Sequence, residues 1–141
     1  MYWHESLTHL QRDSDWAQSS LFITEDVLKH FEFNANTMPD GSVQGNGVVQ
    51  YNGNDNLVVK FNIDCLNVTG NTAIMSGYVT QSNFWYVDLP VYFRVIDNGE
   101  GSKSDPDEIT FLYGGYGVSG CSEIMELDFY QITGGNIQVK P

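Results

Sequence analysis

The stretch LVVKFNIDCL, Leu57 to Leu66, carries the fold in its alternation. Leu57, Val59, Phe61, Ile63 and Cys65 are apolar, whereas Lys60, Asn62 and Asp64 are polar. Successive side chains of a strand point to opposite faces, so this pattern makes a strand with one face in a core and one in water, as in an antiparallel sheet. FEFNAN repeats it, with Phe31, Phe33 and Ala35 set against Glu32, Asn34 and Asn36. SSLFIT, SVQGNGVVQY, TAIMSGYVTQ, LPVYFRVI, EITFLY, MELDFYQI and NIQVK are further strand candidates.

Between these runs stand turn signals: PDG, NGND, TGN, DNGEG and two GG pairs. Short strands at regular spacing, with no helix between them, predict an all-β antiparallel β-barrel of about eight to nine strands, with a sandwich as the alternative. Gly45, Gly47 and Gly77, inside strand patterns, favour the barrel because they permit tight coiling. Only residues 2–12 have helical rhythm, with Trp3, Leu7 and Leu10 recurring on one face. The chain therefore divides into an N-terminal helical segment over residues 1–18 and a single antiparallel β domain over residues 19–141.

A chain of 141 residues with 41% hydrophobic content is long enough to bury its own core. Its 18 acidic residues against 6 basic ones give a net charge of -12, which repels phosphate backbones and disfavours nucleic acid as a partner. No apolar run reaches the length of a membrane-spanning helix. The opening MYWHESLTHLQRDSDW lacks a charged-then-apolar signal pattern, so an exported protein would carry its signal outside this sequence. Cys65 and Cys121 allow one intramolecular pairing, and composition alone leaves it open whether they are bonded or are two buried thiols.

FNANTMPDGSVQGNG, DCLNVTGNTAIMSGYVT, PVYFRVIDNGEGSKSDPDEITF and GGNIQVKP, in that order, resemble a family of small secreted bacterial β-domains of unassigned function. The resemblance runs from Phe31 to Pro141. It implies an exported, secreted or extracytoplasmic all-β domain in which Cys65 and Cys121 are paired as a disulfide, and it implies no reaction. The N-terminal segment and the aromatic run NFWYVDLP depart from the family pattern.

The acidic stretch from Asp97 to Glu108 has the length of an EF-hand loop, but Gly99 and Gly101 stand where oxygen ligands are needed and Ser102 stands where the glycine belongs. A different calcium site remains chemically sensible, with Asp97, Glu100, Asp105 and Asp107 as its ligands, because hard cations gather several oxygens on a loop. The competing reading is turn chemistry, in which Asp97-Asn98-Gly99 bonds its own backbone. No catalytic motif appears: GVSGC places its first glycine wrongly for a nucleophile elbow, and GGYGVSG lacks a phosphate-loop lysine.

The aromatic supply is the remaining clue. Tyr92 and Arg94 share a face of VYFRVID, opposite Val91, Phe93 and Val95. With Trp85, Tyr86 and Tyr113, they are the ligand-binding candidates for a small apolar or carbohydrate ligand. The expected function is an exported, non-catalytic binding domain. The alternative is a small barrel enzyme of the cyclase or isomerase type, which would confine its substrate and use Arg94, His30 or Glu32 for proton transfer.

Overall fold

The computed structural model describes residues 16–24, 28–52, 57–99, 105–118, 120–132 and 134–140. Among the described residues ten strands form one sheet: β1 (Trp16–Thr24), β2 (Leu28–Thr37), β3 (Val43–Asn52), β4 (Leu57–Thr69), β5 (Thr72–Ser82), β6 (Pro90–Ile96), β7 (Glu108–Thr110), β8 (Tyr113–Gly114), β9 (Phe129–Gln131) and β10 (Gly134–Lys140). Every pairing is antiparallel. The order is β10-β1-β2-β3-β4-β5-β6-β7-β9, with β8 beside β6. The helix expected at the N-terminus lies largely outside the described residues. β1 begins at Trp16, ahead of Ser19, because Trp16 already pairs with Asn36 on one side and Lys140 on the other.

The sheet curls into a half-barrel rather than a barrel closed by hydrogen-bonded strands. The two-stranded ladder runs out because β7 and β9 have only 3 residues each, too few to pair β10 along its length. Aspartates span the gap instead. The Ile137 and Val139 N–H groups of β10 donate to Asp107 Oδ2 at 2.7 Å and to Asp97 Oδ2 at 3.0 Å.

The concave side holds the core. Phe31, Phe33, Phe61 and Phe93 meet there at ring-centroid separations of 5.0 to 6.4 Å, mostly edge to face, the arrangement that aromatic quadrupoles favour. Ala35, Val59, Ile63, Met75, Val79, Val95, Ile109 and Ile137 fill the space around them.

Two irregularities between β4 and β5, at Thr80 and at Asp64, re-aim side chains. Before Asp64 the odd positions of β4 face the core; after it Leu66 and Val68 do. The alternation read from Leu57 to Cys65 therefore breaks at its last step. Cys65 turns outward and bonds Cys121, with Cα atoms 5.8 Å apart. At the same place β4 and β5 approach so closely that a Cβ on Gly77 would overlap the Asn62 carbonyl oxygen, so only glycine fits.

That disulfide fastens residues 120–128 across the outside of β4, β5 and β6 as a strap. Asn67 Nδ2 donates to the Cys121 carbonyl at 3.2 Å. The Tyr92 hydroxyl donates to the Glu123 carbonyl and accepts the Met125 N–H, both at 3.0 Å. Ile74, Tyr92, Val118 and Cys121 form a second small core beneath the strap, with Met125 and Leu127 against it.

Candidate functional site

Topology sorts the loops between two ends. The chain enters at Trp16 and leaves at Lys140 on one end, beside the β2–β3 turn, the β4–β5 turn and the acidic loop after β6. The loop of residues 83–89 and the segment of residues 111–117 lie at the other end.

This second end is aromatic. The 83–89 loop is braced: the Ser82 hydroxyl accepts the Phe84 and Trp85 N–H groups at 2.9 Å, and the Asp88 N–H donates to the Val79 carbonyl at 2.7 Å. Asp88 itself sits at φ 71°, a left-handed conformation uncommon outside glycine, which the surrounding bonds enforce. Trp85 lies half-buried on Gly114, where a Cβ would come within 2.6 Å of the indole. The Gly115 N–H donates to the Pro90 carbonyl at 2.9 Å and ties the second segment alongside. On these braced backbones Phe84, Tyr86 and Tyr116 are 61%, 77% and 76% exposed, with Tyr113 partly exposed. Rings held in water by an ordered backbone are unusual, because each forgoes the gain of burial.

Of the five ligand-binding candidates, Trp85, Tyr86 and Tyr113 thus gather at this end, while Tyr92 and Arg94 lie elsewhere. Tyr92 is 1% exposed under the strap. Arg94 also points to the outer side, its guanidinium 4.9 Å from the Phe129 ring centroid and its Nη1 donating to the Met125 carbonyl at 3.4 Å. It does not enter the concave side.

A second feature covers the outer face of β2 to β5. Strand register aligns three cross-strand rows: His30, Gln50 and Val58; Glu32, Val48, Lys60 and Gln81; and Asn34, Asn46, Asn62 and Tyr78. Two troughs run between them. One of about 390 Å³ has the Phe33, Gly47 and Phe61 row as its floor, and one of about 400 Å³ reaches from Gln50 to Asn83. Lys60 stands on the ridge that they share. Asn34 Nδ2 donates to Asn46 Oδ1 at 3.3 Å, and Asn62 Nδ2 to the Tyr78 hydroxyl at 3.0 Å. His30 Nε2 lies 3.2 Å from Glu32 Oε2, so these two proton-transfer candidates meet at the rim. They stand on the outer face, away from the concave interior in which enclosed chemistry would occur.

The acidic loop has a structural use. Asp97 Oδ1 accepts the Gly99 N–H at 2.9 Å, and Asp107 Oδ1 accepts the Asn98 N–H at 2.8 Å. With the two bonds to β10, each of the four carboxylate oxygens accepts a backbone N–H. Asp105 is exposed, and Glu100 lies outside the described residues. Among the described residues no cluster of three or more His, Cys, Asp or Glu is placed to hold a metal ion. No described helix is long and apolar enough to cross a membrane.

Fold and surface together define an open, disulfide-fastened antiparallel half-barrel with an exposed aromatic end and an amide-rich outer face. No family model matches this chain, and neither the curated proteins nor the solved structures contain a match to it.

The aromatic end was visible in the sequence as an excess of rings around Trp85. The amide rows were missed, since Asn34, Asn46, Asn62, Gln50 and Gln81 each read as an ordinary solvent-facing residue. Their alternation in phase across four neighbouring strands was the available signal.

Proposed function

We propose that the protein is an exported, non-catalytic β-domain that captures a carbohydrate at its aromatic end. The observation that carries this reading is the exposure of Phe84, Tyr86 and Tyr116 on loops braced around Trp85 and Gly114. A sugar ring offers an apolar C–H face that stacks on such a surface, with little ordering cost where the rings are already held. The Cys65–Cys121 bond supports an oxidising, extracytoplasmic setting, as does the resemblance to secreted bacterial β-domains. Four phenylalanines occupy the concave side, which favours capture at the surface over the confined substrate of a cyclase or isomerase.

The test is a titration of soluble uncharged oligosaccharides, read by tryptophan fluorescence, on the native protein and on Tyr86→Ala and Tyr116→Ala. Loss of one stacking ring should weaken binding roughly tenfold. An unresponsive native protein across gluco-, xylo- and manno-oligosaccharides would sink the reading.

A further inference from the structure

We infer that the two troughs on the outer face of β2 to β5 extend this site and receive consecutive units of an uncharged polysaccharide strand, which ends at the aromatic loop. The inference rests on the carbohydrate reading above.

Three observations carry it. The first is donor chemistry. Asn34, Asn46, Asn62, Gln50, Gln81 and Asn83 line the troughs, and each amide both donates and accepts. A hydroxyl does the same, so a surface of amides matches a chain of hydroxyls without specifying a charge. The second is electrostatic. Among the described residues, Glu32 and Lys60 are the charged ones lining these troughs, and their charges cancel within a molecule of net charge -12. An anionic polymer would meet repulsion from the molecule as a whole and no cationic cluster here to offset it.

The third is continuity. Asn83 closes the second trough and is bonded to β4, its Oδ1 accepting the Val58 N–H at 2.9 Å, and the exposed Phe84 follows it directly. The four strands that the first trough crosses span on the order of 14 Å at the usual strand spacing. That length exceeds a single sugar ring and suits a short run of them.

The experiment pairs calorimetry with amide-resolved NMR on the native protein, using cello-, xylo- and malto-oligosaccharides of one to six units and oligogalacturonate as a charged counterpart. The expected result is an affinity that climbs at least tenfold between the dimer and the hexamer of one uncharged series. Signals of Asn34, Asn46, Gln50 and Gln81 should shift only with the longer chains. The double variant Asn46→Ala with Gln81→Ala should weaken the hexamer by about tenfold or more while leaving the dimer unchanged. Its thermal midpoint is to be checked, and the NMR shifts require no variant at all.

If affinity is flat with length and the shifts stay within residues 84–86 and 113–116, the trough inference fails while the aromatic site stands. If no uncharged sugar shifts any signal, both fall. Tighter binding of oligogalacturonate would overturn the uncharged class.

Discussion

Gly77 shows how much can turn on one missing methyl group. Its Cβ would overlap backbone rather than a flexible side chain, so β4 and β5 would have to part beside the irregularity at Asp64. Gly77→Ala should cost about 2–4 kcal/mol in urea unfolding. Gly117→Ala, where open space surrounds the added atom, should stay within about 0.5 kcal/mol. Tyr51 makes a second residue-scale prediction. Burial raises its pKa above the ordinary 10.0, because the phenolate loses solvation. The unfolded chain therefore releases this proton first. Its contribution to stability is intact below pH 10.0 and is lost as pH rises through the higher folded value. Unfolding midpoints across an alkaline series should fall in that window, and Tyr51→Phe should fall less steeply. At this scale the sequence was legible wherever the period of two held. It misled at Cys65, because the bulge at Asp64 moves the core-facing phase to Leu66 and Val68 while Cys65 itself still reads as apolar. A cysteine is equally at home against either core.

Among the elements, the strap and the seam do the work that regular pairing leaves undone. The strap has no strand of its own between Gly120 and Asp128, so its order depends on the disulfide, Asn67, Tyr92 and Arg94. With the cysteines at a sequence separation of 56, removing the bond through a Cys65→Ala, Cys121→Ala pair should cost roughly 4 kcal/mol in the chain-entropy model. Hydrogen exchange should then rise first in residues 120–128, ahead of the phenylalanine core. At the seam, Asp107 is buried and accepts from the amides of Asn98, just past β6, and of Ile137, in the middle of β10. Asp107→Ala would strand both donors and should destabilise by about 2–4 kcal/mol in denaturant titration. Most strand positions could be read from sequence, β3, β5 and β6 nearly to the residue. The strap could not, because MELDFYQI alternates like a strand although only Phe129–Gln131 pairs. Nor could the seam, since carboxylates that accept backbone N–H groups from β10, across the curled sheet, look in sequence like turn residues or calcium ligands of the local loop alone.

At the scale of the whole molecule, all-β class and antiparallel pairing were open to reading because they follow from local periodicity and turn residues. Closure was not, because it depends on how the last, shortest strands meet the first. The same limit applies to the candidate site: the aromatic excess was local and visible, whereas the amide rows exist only once register is set. The pairing of β1 with β10 has one more consequence. Trp16 faces Lys140 across the sheet, at the end away from Phe84, Tyr86 and Tyr116. Trp16 and Lys140 therefore sit side by side at the end of the half-barrel opposite the exposed aromatic rings. Such a unit can be spliced into a surface loop of a host protein, or strung in tandem like beads, with each aromatic end still pointing outward.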